Sequence, residues 1–522
     1  MTEKFRPPPS KLAWLLCCVA ITLVAATPTP EPTPLPEAPA SSVTPLKWSE
    51  PLQLSTTGQS SWFPDVFADA AGTVHVVWST GVSTGPRAVF DAVLYRSSQD
   101  GVNWTEAVDI AAIPTKGSVT RASILVDLQG LFHFTYKSYT VYYSRAPVLA
   151  IKPQNMLPPY EISSPDVGYF SRIAVDSQGR LHIIHSENVF DSNCNQCFHF
   201  FHRWSDDNGQ TWSAPIDVSG GPSGAAKPWL LIDAQDNLHL IWEVGRGGDL
   251  GQVPEPARVA YRVSYDRGTA WSNVVDFVPT EEGQGRLATI GMDGQGTLVA
   301  AWLAIPEDRV YFRTSKDLGQ TWSDPQIIPG VWGQWDIYQA KLDTYSMAAD
   351  SQGHLHMVMV GRTNETQKSL SVMGLVWNGE AWSRPGIVTT IEGDVPEWPR
   401  LSIGNGNQLN LVWFRRNKAG IFKSDEGQYS IWYARAEAEA SNVPAIIFPT
   451  YTPDPAITPT AESAPSETQP AAAPTRLVIN QGEPIKVYTE ANYLMIALQS
   501  MLPVVALVVI VVIAAVRMRS RR

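Results

Sequence analysis

The chain has 522 residues, of which 44% are hydrophobic and 17% charged, so it contains enough apolar material for a large folded core. Its 50 acidic and 39 basic residues give a formal net charge of −11, spread along the chain without a basic block. This distribution excludes the positive surface typical of nucleic-acid-binding proteins, and no nucleic-acid partner is expected.

The N-terminus has the pattern of an exported protein. Lys4, Arg6 and Lys11 provide a positive start, an apolar run follows from Leu12 to Ala26, and residues 1–26 are therefore predicted to be a signal peptide. An uncleaved membrane anchor is the alternative that this pattern allows. Residues 27–46 are rich in proline and threonine, a composition typical of an extended linker.

Residues 47–436 contain a repeat with a period of roughly 50–60 residues. Each unit has a first strand, a turn of the form Asp-x-x-Gly and a second strand that often begins with histidine; the first copy runs from Pro64 to Trp78. A third strand, a second turn and a fourth strand follow, as in Arg309 to Thr314 and Trp322 to Ile328. Four strands make one antiparallel propeller blade.

The two ends of the repeat region are complementary. Lys47 to Leu54 resembles a fourth strand without strands before it, and the last unit ends with a third strand, Tyr429 to Ala434, that lacks a fourth. The N-terminal strand is therefore predicted to complete the last blade and close the ring. Seven inner strand pairs can be counted, with Leu157 to Ser163 as the least marked fourth strand, which predicts an all-β propeller of seven four-stranded blades.

The composition changes again after the repeats. Residues 437–490 contain a proline-rich stretch predicted to be a stalk, and residues 491–516 are almost wholly apolar over a length that spans a bilayer as one transmembrane helix. Residues 517–522 contain four arginines, the basic flank expected of a cytoplasmic tail. The sequence thus predicts a single-pass cell-membrane protein with its propeller on the extracellular side.

Cysteine and histidine patterns were considered as metal sites. Cys194 and Cys197 are the only cysteines outside the predicted signal peptide, and His199 and His202 follow them. On an extended strand these histidines point to opposite faces, which favours a local disulfide over a metal site or free thiols. The histidines that begin second strands are separated by at least a blade width and are predicted to be structural: His75, His133, His182, His239 and His356. No metal or cofactor is expected.

A second pattern, Ser-x-Asp-x-Gly-x-Thr-Trp, marks the turn before the fourth strand. The aspartate can accept N–H groups across a tight turn, the glycine supplies a positive φ, and the tryptophan packs on the sheet. The copies are Ser205, Asp207, Gly209 and Trp212; Ser264, Asp266, Gly268 and Trp271; and Ser315, Asp317, Gly319 and Trp322. The pattern resembles the Asp-box, or bacterial neuraminidase repeat, of sialidase-like β-propellers. In that family the boxes are structural and six blades are usual, so six is the alternative to seven here.

Strand direction predicts which face carries a functional site. The starts of the first strands, the ends of the second strands and the loops that follow lie opposite the Asp-boxes, on what we call the loop-rich face. Five cations at first-strand starts are expected around its central opening: Arg121, Arg172, Lys227, Arg286 and Arg400. Guanidinium groups converging there can bind a carboxylate such as that of an acidic sugar.

The resemblance to sialidases implies three carboxylate-binding arginines, an acid/base aspartate and a tyrosine nucleophile activated by a glutamate. The candidates in this chain are Arg246, Arg286 and Arg400 for the carboxylate, Asp91 as acid/base, and Glu243 beside Tyr338 or Tyr345. One position departs from the family. Sialidases carry Phe/Tyr-Arg-x-Pro at the first inner strand, and here Trp62 replaces the arginine before Phe63 and Pro64.

Two functions stay open at this point. The first is non-catalytic recognition of a glycan or surface protein through the loop-rich face, which Trp62 favours. The second is a glycoside hydrolase of the exo-α-sialidase type, acting on terminal acidic sugars. Three converging arginines with a Glu–Tyr pair would indicate the enzyme, whereas an aromatic lining with scattered charge would indicate binding. In either case a monomeric propeller is expected.

Overall fold

The computed structural model describes residues 37–56, 60–81, 90–111, 119–164, 168–190, 195–220, 224–245, 257–278, 283–334, 342–417 and 429–449. All of them belong to the first of two compact units, residues 1–452 and 453–522. In this part of the chain no helix has the length and apolar character needed to cross a membrane. The predicted signal peptide and the predicted span at 491–516 lie outside it.

The described chain is built from β-strands. Strand β1 (Leu52–Gln53) comes first. One four-stranded sheet contains β2 (Ser61–Ala68), β3 (Val74–Gly81), β4 (Phe90–Ser98) and β5 (Val108–Asp109). The next contains β6 (Thr120–Val126), β7 (Leu131–Lys137), β8 (Val141–Pro147) and β9 (Tyr160–Glu161), with 3-10 helices at Val148–Ala150 and Pro153–Asn155 before β9.

Two further four-stranded sheets follow. One contains β10 (Gly168–Val175), β11 (Leu181–Phe190), β12 (Asn195–Ser205) and β13 (Ile216–Asp217). The other contains β14 (Gly224–Ile232), β15 (Leu238–Gly245), β16 (Arg258–Ser264) and β17 (Val275–Asp276). Both are antiparallel and run from first to fourth strand in chain order, as the repeat predicts.

The next eight strands form one larger sheet. Its first half contains β18 (Gln284–Met292), β19 (Leu298–Ile305), β20 (Arg309–Ser315) and β21 (Gln326–Gly333). Its second half contains β22 (Ser346–Ala349), β23 (Leu355–Arg362), β24 (Leu370–Trp377) and β25 (Gly386–Ile391). The halves join where Trp332 and Gly333 pair with Arg362 and Gly361.

The last sheet contains both ends of the repeat region. It consists of β26 (Asp394–Gly404), β27 (Gln408–Asn417), β28 (Tyr429–Glu437) and β1, which pairs with β28. The Leu54 N–H donates to the Ile431 carbonyl at 2.8 Å. The predicted completion of the last blade by the N-terminal strand is therefore confirmed, and five separate four-stranded blades are present in the described chain.

The first strands surround a central axis. Neighbours contact one another in the order β2, β6, β10, β14, β18, β22, β26 and again β2. Side chains of one sheet cap the inner backbone edge of the next: Asp65 accepts the Ile124 N–H at 3.0 Å, and Ser402 accepts the Ala68 N–H at 2.9 Å. The second of these bonds links the last sheet to the first.

The Asp-x-x-Gly turns fix the histidines that follow them. Asp69 accepts the N–H groups of Ala71 and Thr73, and its second oxygen lies 2.9 Å from His75 Nε2, whose Nδ1 meets the Tyr95 hydroxyl. The equivalent Asp–His pairs are Asp127–His133, Asp176–His182, Asp233–His239 and Asp350–His356. Each histidine is thus held within its own blade, which confirms the structural role.

Two of the fourth strands begin later than the sequence predicts. The strand expected from Trp322 begins only at Gln326, and the strand after Trp212 is limited to Ile216–Asp217. The reason is the preceding Asp-box, because its aspartate holds the next residues in turn conformation and delays pairing with the third strand.

Candidate functional site

Bulges in the first strands determine which side chains reach the axis. In β6, β14 and β26 the register shifts between the strand start and its centre. One residue at each shift has a left-handed backbone: Arg121 (φ 54°), Lys227 (φ 51°) and Trp398 (φ 62°). Such bulges turn side chains out of the pleat, and strained residues concentrate at functional sites.

We call the space enclosed by these side chains the axial cavity. It measures about 20 Å³, room for roughly one water molecule. Four cations line it, namely Arg121, Arg172, Lys227 and Arg400, and no acidic residue is among its described lining residues. These are four of the five cations predicted around the central opening. Arg286 is buried but is not part of the lining.

Aromatic rings support the guanidinium groups. Arg172 lies 4.3 Å from the Trp229 ring centre, and Arg400 lies 4.3 Å from that of Trp398 and 5.4 Å from that of Trp229. The two arginines thus lie against the same indole. Cation–π contacts of this kind hold a guanidinium group without using its N–H donors. Arg400 Nη1 also donates to Thr344 Oγ1 at 2.5 Å.

One carboxylate serves two of these cations. Asp65 Oδ1 lies 3.7 Å from Arg172 Nη1 and 3.8 Å from Arg400 Nε, beyond hydrogen-bond distance in both cases. Burial lowers the pKa of Arg172, and it lowers that of Arg400 well below its usual range. The charged forms are therefore poorly solvated, and an anion entering the cavity would be strongly stabilised.

A second group of buried charges lies beside the axial cavity. Lys227 Nζ is 3.4 Å from Glu243 Oε1 and donates to the Asp343 carbonyl at 2.8 Å. Glu397 accepts from Arg416 Nε at 2.5 Å. The fully buried members of this group are Glu243, Asp343, Glu397 and Arg416.

Two carboxyl groups in this cluster have raised pKa values. Burial and the neighbouring Glu397 charge raise the pKa of Asp343 to about 8, and burial raises the pKa of Glu397. Asp343 Oδ1 accepts the Trp398 N–H at 3.0 Å, while its Oδ2 has no hydrogen-bond partner among the described residues. At neutral pH Asp343 is therefore largely protonated.

Only part of the predicted catalytic set lies in the described chain. Glu243 is fully buried, and its Oε1 accepts the Leu287 N–H at 2.8 Å. No hydrogen bond joins it to Tyr345, the second tyrosine considered. Arg246, Tyr338 and the side chain of Asp91 lie outside the described residues.

Trp62, at the position of the sialidase arginine, is a core residue. Its ring stacks on Tyr429 with centroids 3.6 Å apart and also contacts Phe414. The apolar packing leaves no vacancy for a cation at this place. Asp65, Trp229 and Trp398 are site residues that were not predicted from the sequence. A signal for two of them is that Lys227-Pro228-Trp229 and Trp398-Pro399-Arg400 share a proline beside an aromatic and a basic residue.

The described part of the Cys-x-x-Cys segment contains a disulfide-bonded cysteine. Cys197 is buried and disulfide-bonded, and Cys194 lies outside the described residues. His199 Nδ1 pairs with Asp217 at 2.8 Å, and His202 Nε2 lies 3.0 Å from His182 Nδ1. In the resolved ranges no group of three His, Cys, Asp or Glu side chains is arranged to hold a metal.

The Asp-boxes lie at the opposite end of the blades. Asp207 Oδ1 accepts the N–H groups of Gln210 and Thr211, and Ser205 Oγ accepts that of Gly209, whose φ is 81°. The boxes of Asp266 and Asp317 repeat this bonding. Antiparallel four-stranded blades with these turns before their fourth strands define the architecture. The fold is a sialidase-like β-propeller.

Comparisons with known proteins give similar solved structures but no family. No protein-family model matches the chain, and no curated protein matches it. Among solved structures, similarity is found to a protein of unknown function from Dyadobacter fermentans (13% identity, TM-score 0.47, covering 76% of this chain and 100% of that one). The NanB sialidase from Streptococcus pneumoniae gives 12% identity and a TM-score of 0.42 over 76% of this chain and 71% of its own.

An ulvan lyase, described as a new family of polysaccharide lyase, gives 10% identity and a TM-score of 0.47, covering 74% of this chain and 97% of its own. Likenesses of this size carry no inference about substrate or reaction.

Proposed function

We propose that this propeller is a non-catalytic recognition module that binds an acidic glycan through its loop-rich face. The observation that carries the proposal is the axial cavity, whose described lining holds four cations and no carboxylate. A cavity of about 20 Å³ has room for roughly one oxygen atom, so the ligand would insert one carboxylate oxygen and place the remaining sugar outside.

Two observations favour binding over hydrolysis. Trp62 fills the position of the sialidase arginine with an aromatic ring packed on Tyr429. Glu243 is engaged by Lys227 and by the Leu287 N–H, so it is not placed to activate a described tyrosine. A cation cluster without a nucleophile can hold an acidic sugar but has no group to attack it.

The test is calorimetric titration of the full-length chain in nanodiscs with sialyllactose and with neutral lactose. We expect sialyllactose to bind and lactose to bind about tenfold more weakly or not at all, because only the acidic sugar carries the carboxylate. Arg400→Gln should lower the affinity about tenfold. Arg415→Gln is the matched control, since Arg415 lies on β27 of the same sheet and pairs with Asp394 outside the cavity.

Equal affinities for the two sugars would contradict the proposal, and this comparison needs no variant. A ligand panel of acidic surface proteins then decides whether a protein supplies the carboxylate instead.

The alternative function is an exo-glycosidase of the sialidase type. The observation in its favour is Asp343, whose pKa of about 8 would let it serve as a general acid at neutral pH. Asp343 is fully buried, however, and a substrate would need to displace its neighbours to reach it. Release of a fluorogenic aglycone from a sialoside, abolished in Asp343→Asn, would establish the enzyme and overturn the recognition proposal.

The ring is proposed to have seven blades. The eight-stranded sheet divides into two units of four strands joined only at Trp332 and Gly333, and seven first strands contact one another around the axis. A crystal structure with six repeats around the axis would contradict this count.

We also propose that the propeller is monomeric and is held outside the cell by the apolar segment at 491–516. The support is the hydrophobicity and basic flank of the sequence. Protease added to intact cells should then cleave the propeller from the membrane fraction, and its protection from protease would contradict the orientation.

A further inference from the structure

A second, larger cavity lies along the axis between the axial cavity and the Asp-x-x-Gly turns. We call it the lower channel. It measures about 450 Å³ and is lined by residues of β2, β6, β10, β14, β22 and β26. Cavities of roughly 300–1,000 Å³ are the size class of small-molecule sites.

The walls of the lower channel are largely aliphatic. Ile124, Ala174, Leu230 and Leu401 contribute to them. The channel extends to Ala349 and Ile403, the last residues before the turns, and Ala349 is exposed. An aliphatic chain that enters from the turn face would therefore contact these side chains, although the lining also includes the polar residues Ser123 and Ser402.

The inner end of the lower channel is cationic. Arg172, Trp229 and Arg400 line both this channel and the axial cavity, so they form the layer between the two. Asp65 is the one acidic residue in the described lining of the channel, against two guanidinium groups. The inner end thus has one positive charge in excess.

The N–H groups of Arg172 can donate hydrogen bonds to a ligand. None of its N–H groups forms a hydrogen bond with a described residue, and its nearest carboxylate oxygen, on Asp65, is 3.7 Å away. A guanidinium group offers five N–H donors in a planar fork that matches a carboxylate. A ligand carboxylate beside Asp65 would satisfy these donors and neutralise the excess charge.

We propose that the lower channel is a second ligand site, which takes an aliphatic monocarboxylate. Its carboxylate contacts Arg172 and Arg400, and its hydrocarbon chain follows the channel toward the turn face. This site differs from glycan recognition on the loop-rich face in its entrance, at the opposite end of the axis, and in its aliphatic walls, although Arg172 and Arg400 line both cavities.

The experiment is calorimetric titration of the full-length chain in nanodiscs with hexanoate and with hexan-1-ol, against empty nanodiscs. Hexanoate should bind, and the alcohol should bind about tenfold more weakly because it cannot pair with the arginines. Arg172→Gln should weaken hexanoate about tenfold, whereas Arg180→Gln, a change at the turn face next to Asp206, should leave it unaltered.

A steric variant separates this site from the axial cavity. Ala174→Leu fills the lower channel and should abolish hexanoate binding while sialyllactose binding persists; Ala270→Leu, on an exposed turn, is its matched control. The proposal is overturned if hexanoate gives no heat, if hexan-1-ol binds as tightly, or if a folded Ala174→Leu chain still binds hexanoate. The comparison of hexanoate with hexan-1-ol in the unchanged chain tests the carboxylate preference even where a variant fails to fold.

Discussion

The surroundings of an aspartate in this chain can shift its pKa in either direction. Burial alone would raise the pKa of Asp207, but hydrogen bonds from Thr211, Ser205 and Gln210 outweigh it and hold the pKa at about 2. At Asp343, burial and the Glu397 charge raise the pKa to about 8, with Lys227 opposing them only partly. The charged form of Asp207 therefore stabilises the fold, whereas the fold is more stable when Asp343 is protonated.

Asp343 should therefore make the fold less stable at alkaline pH. In the folded chain Asp343 keeps a proton that it releases above about pH 4 in the unfolded chain. The contribution of Asp343 to the free energy of unfolding is therefore present at low pH and is lost as the pH rises toward 8. Asp343→Asn removes this loss and keeps the oxygen that accepts the Trp398 N–H. We expect the variant to be roughly 1–3 kcal/mol more stable than the unchanged chain at pH 9 and to differ little at pH 5.

The measurement is urea unfolding between pH 5 and pH 9. A stability difference that stays constant over this range would show that Asp343 does not titrate there. Asp207→Asn provides the opposite sign, because it should destabilise the chain at neutral pH.

At the scale of elements, each Asp-box contacts the third strand of the preceding sheet. The Tyr143 hydroxyl on β8 donates to the Asn208 carbonyl at 3.2 Å, and His202 on β12 lies 3.2 Å from the Gly268 carbonyl. Trp322 packs edge-on against Tyr261 on β16, with centroids 5.0 Å apart. The box thus staples neighbouring blades together and does more than turn its own chain.

This contact gives the box glycine a second reason to lack a side chain. Gly319 has a φ of 87°, and a Cβ there would overlap the Tyr261 hydroxyl. Gly296 has a similar φ of 79° but faces open space. Gly319→Ala should therefore cost roughly 2–4 kcal/mol of unfolding free energy, and Gly296→Ala only about 1 kcal/mol, the cost of the backbone conformation alone.

Chemical unfolding of the two variants tests this difference. Combining Gly319→Ala with Tyr261→Phe should recover part of the loss, since the clashing oxygen is removed. Equal losses in the two single variants would mean that only the positive φ matters.

At the scale of the whole molecule, the segments at both ends of the described chain contact the sheets. The N-terminal segment follows outer edges, where the Ala38 N–H donates to the Ile327 carbonyl and the Ser41 N–H to the Trp382 carbonyl. The C-terminal segment follows the turn face, where the Ile446 N–H donates to the Ala70 carbonyl. The N-terminal segment thus bridges the two halves of the eight-stranded sheet, β1 completes the last sheet, and the C-terminal segment contacts the first sheet.

Closure by β1 should be measurable with two neighbouring leucines. Leu54, which directly follows β1, is 3% exposed and packs between the first and last sheets, whereas Leu52 on β1 is 41% exposed. Leu54→Ala should lower the free energy of unfolding by roughly 2–4 kcal/mol, and Leu52→Ala by less than about 0.5 kcal/mol. Thermal unfolding compares them, and a Leu54→Ala chain as stable as Leu52→Ala would show that the strand does not hold the ring.

Sequence alone determined the features that depend on local chemistry and on chain direction. Turn residues recur at fixed offsets, so the strands, the Asp–His pairs and the orphan N-terminal strand follow from the repeat. The same direction places Arg121, Arg172, Lys227 and Arg400 at the axis, because strands that start at one face bring their first residues together.

Only the tertiary structure decided which of these groups meet. Asp65 on β2 reaches Arg172 on β10 and Arg400 on β26, three strands that no local pattern connects. Glu243 fits the sialidase pattern by residue type, yet burial beside Lys227 and the Leu287 N–H gives it a structural role. Local sequence determines the conformation of each blade, but charge pairing and burial arise where distant blades converge, and there the physical partners of a residue are set by the closed ring.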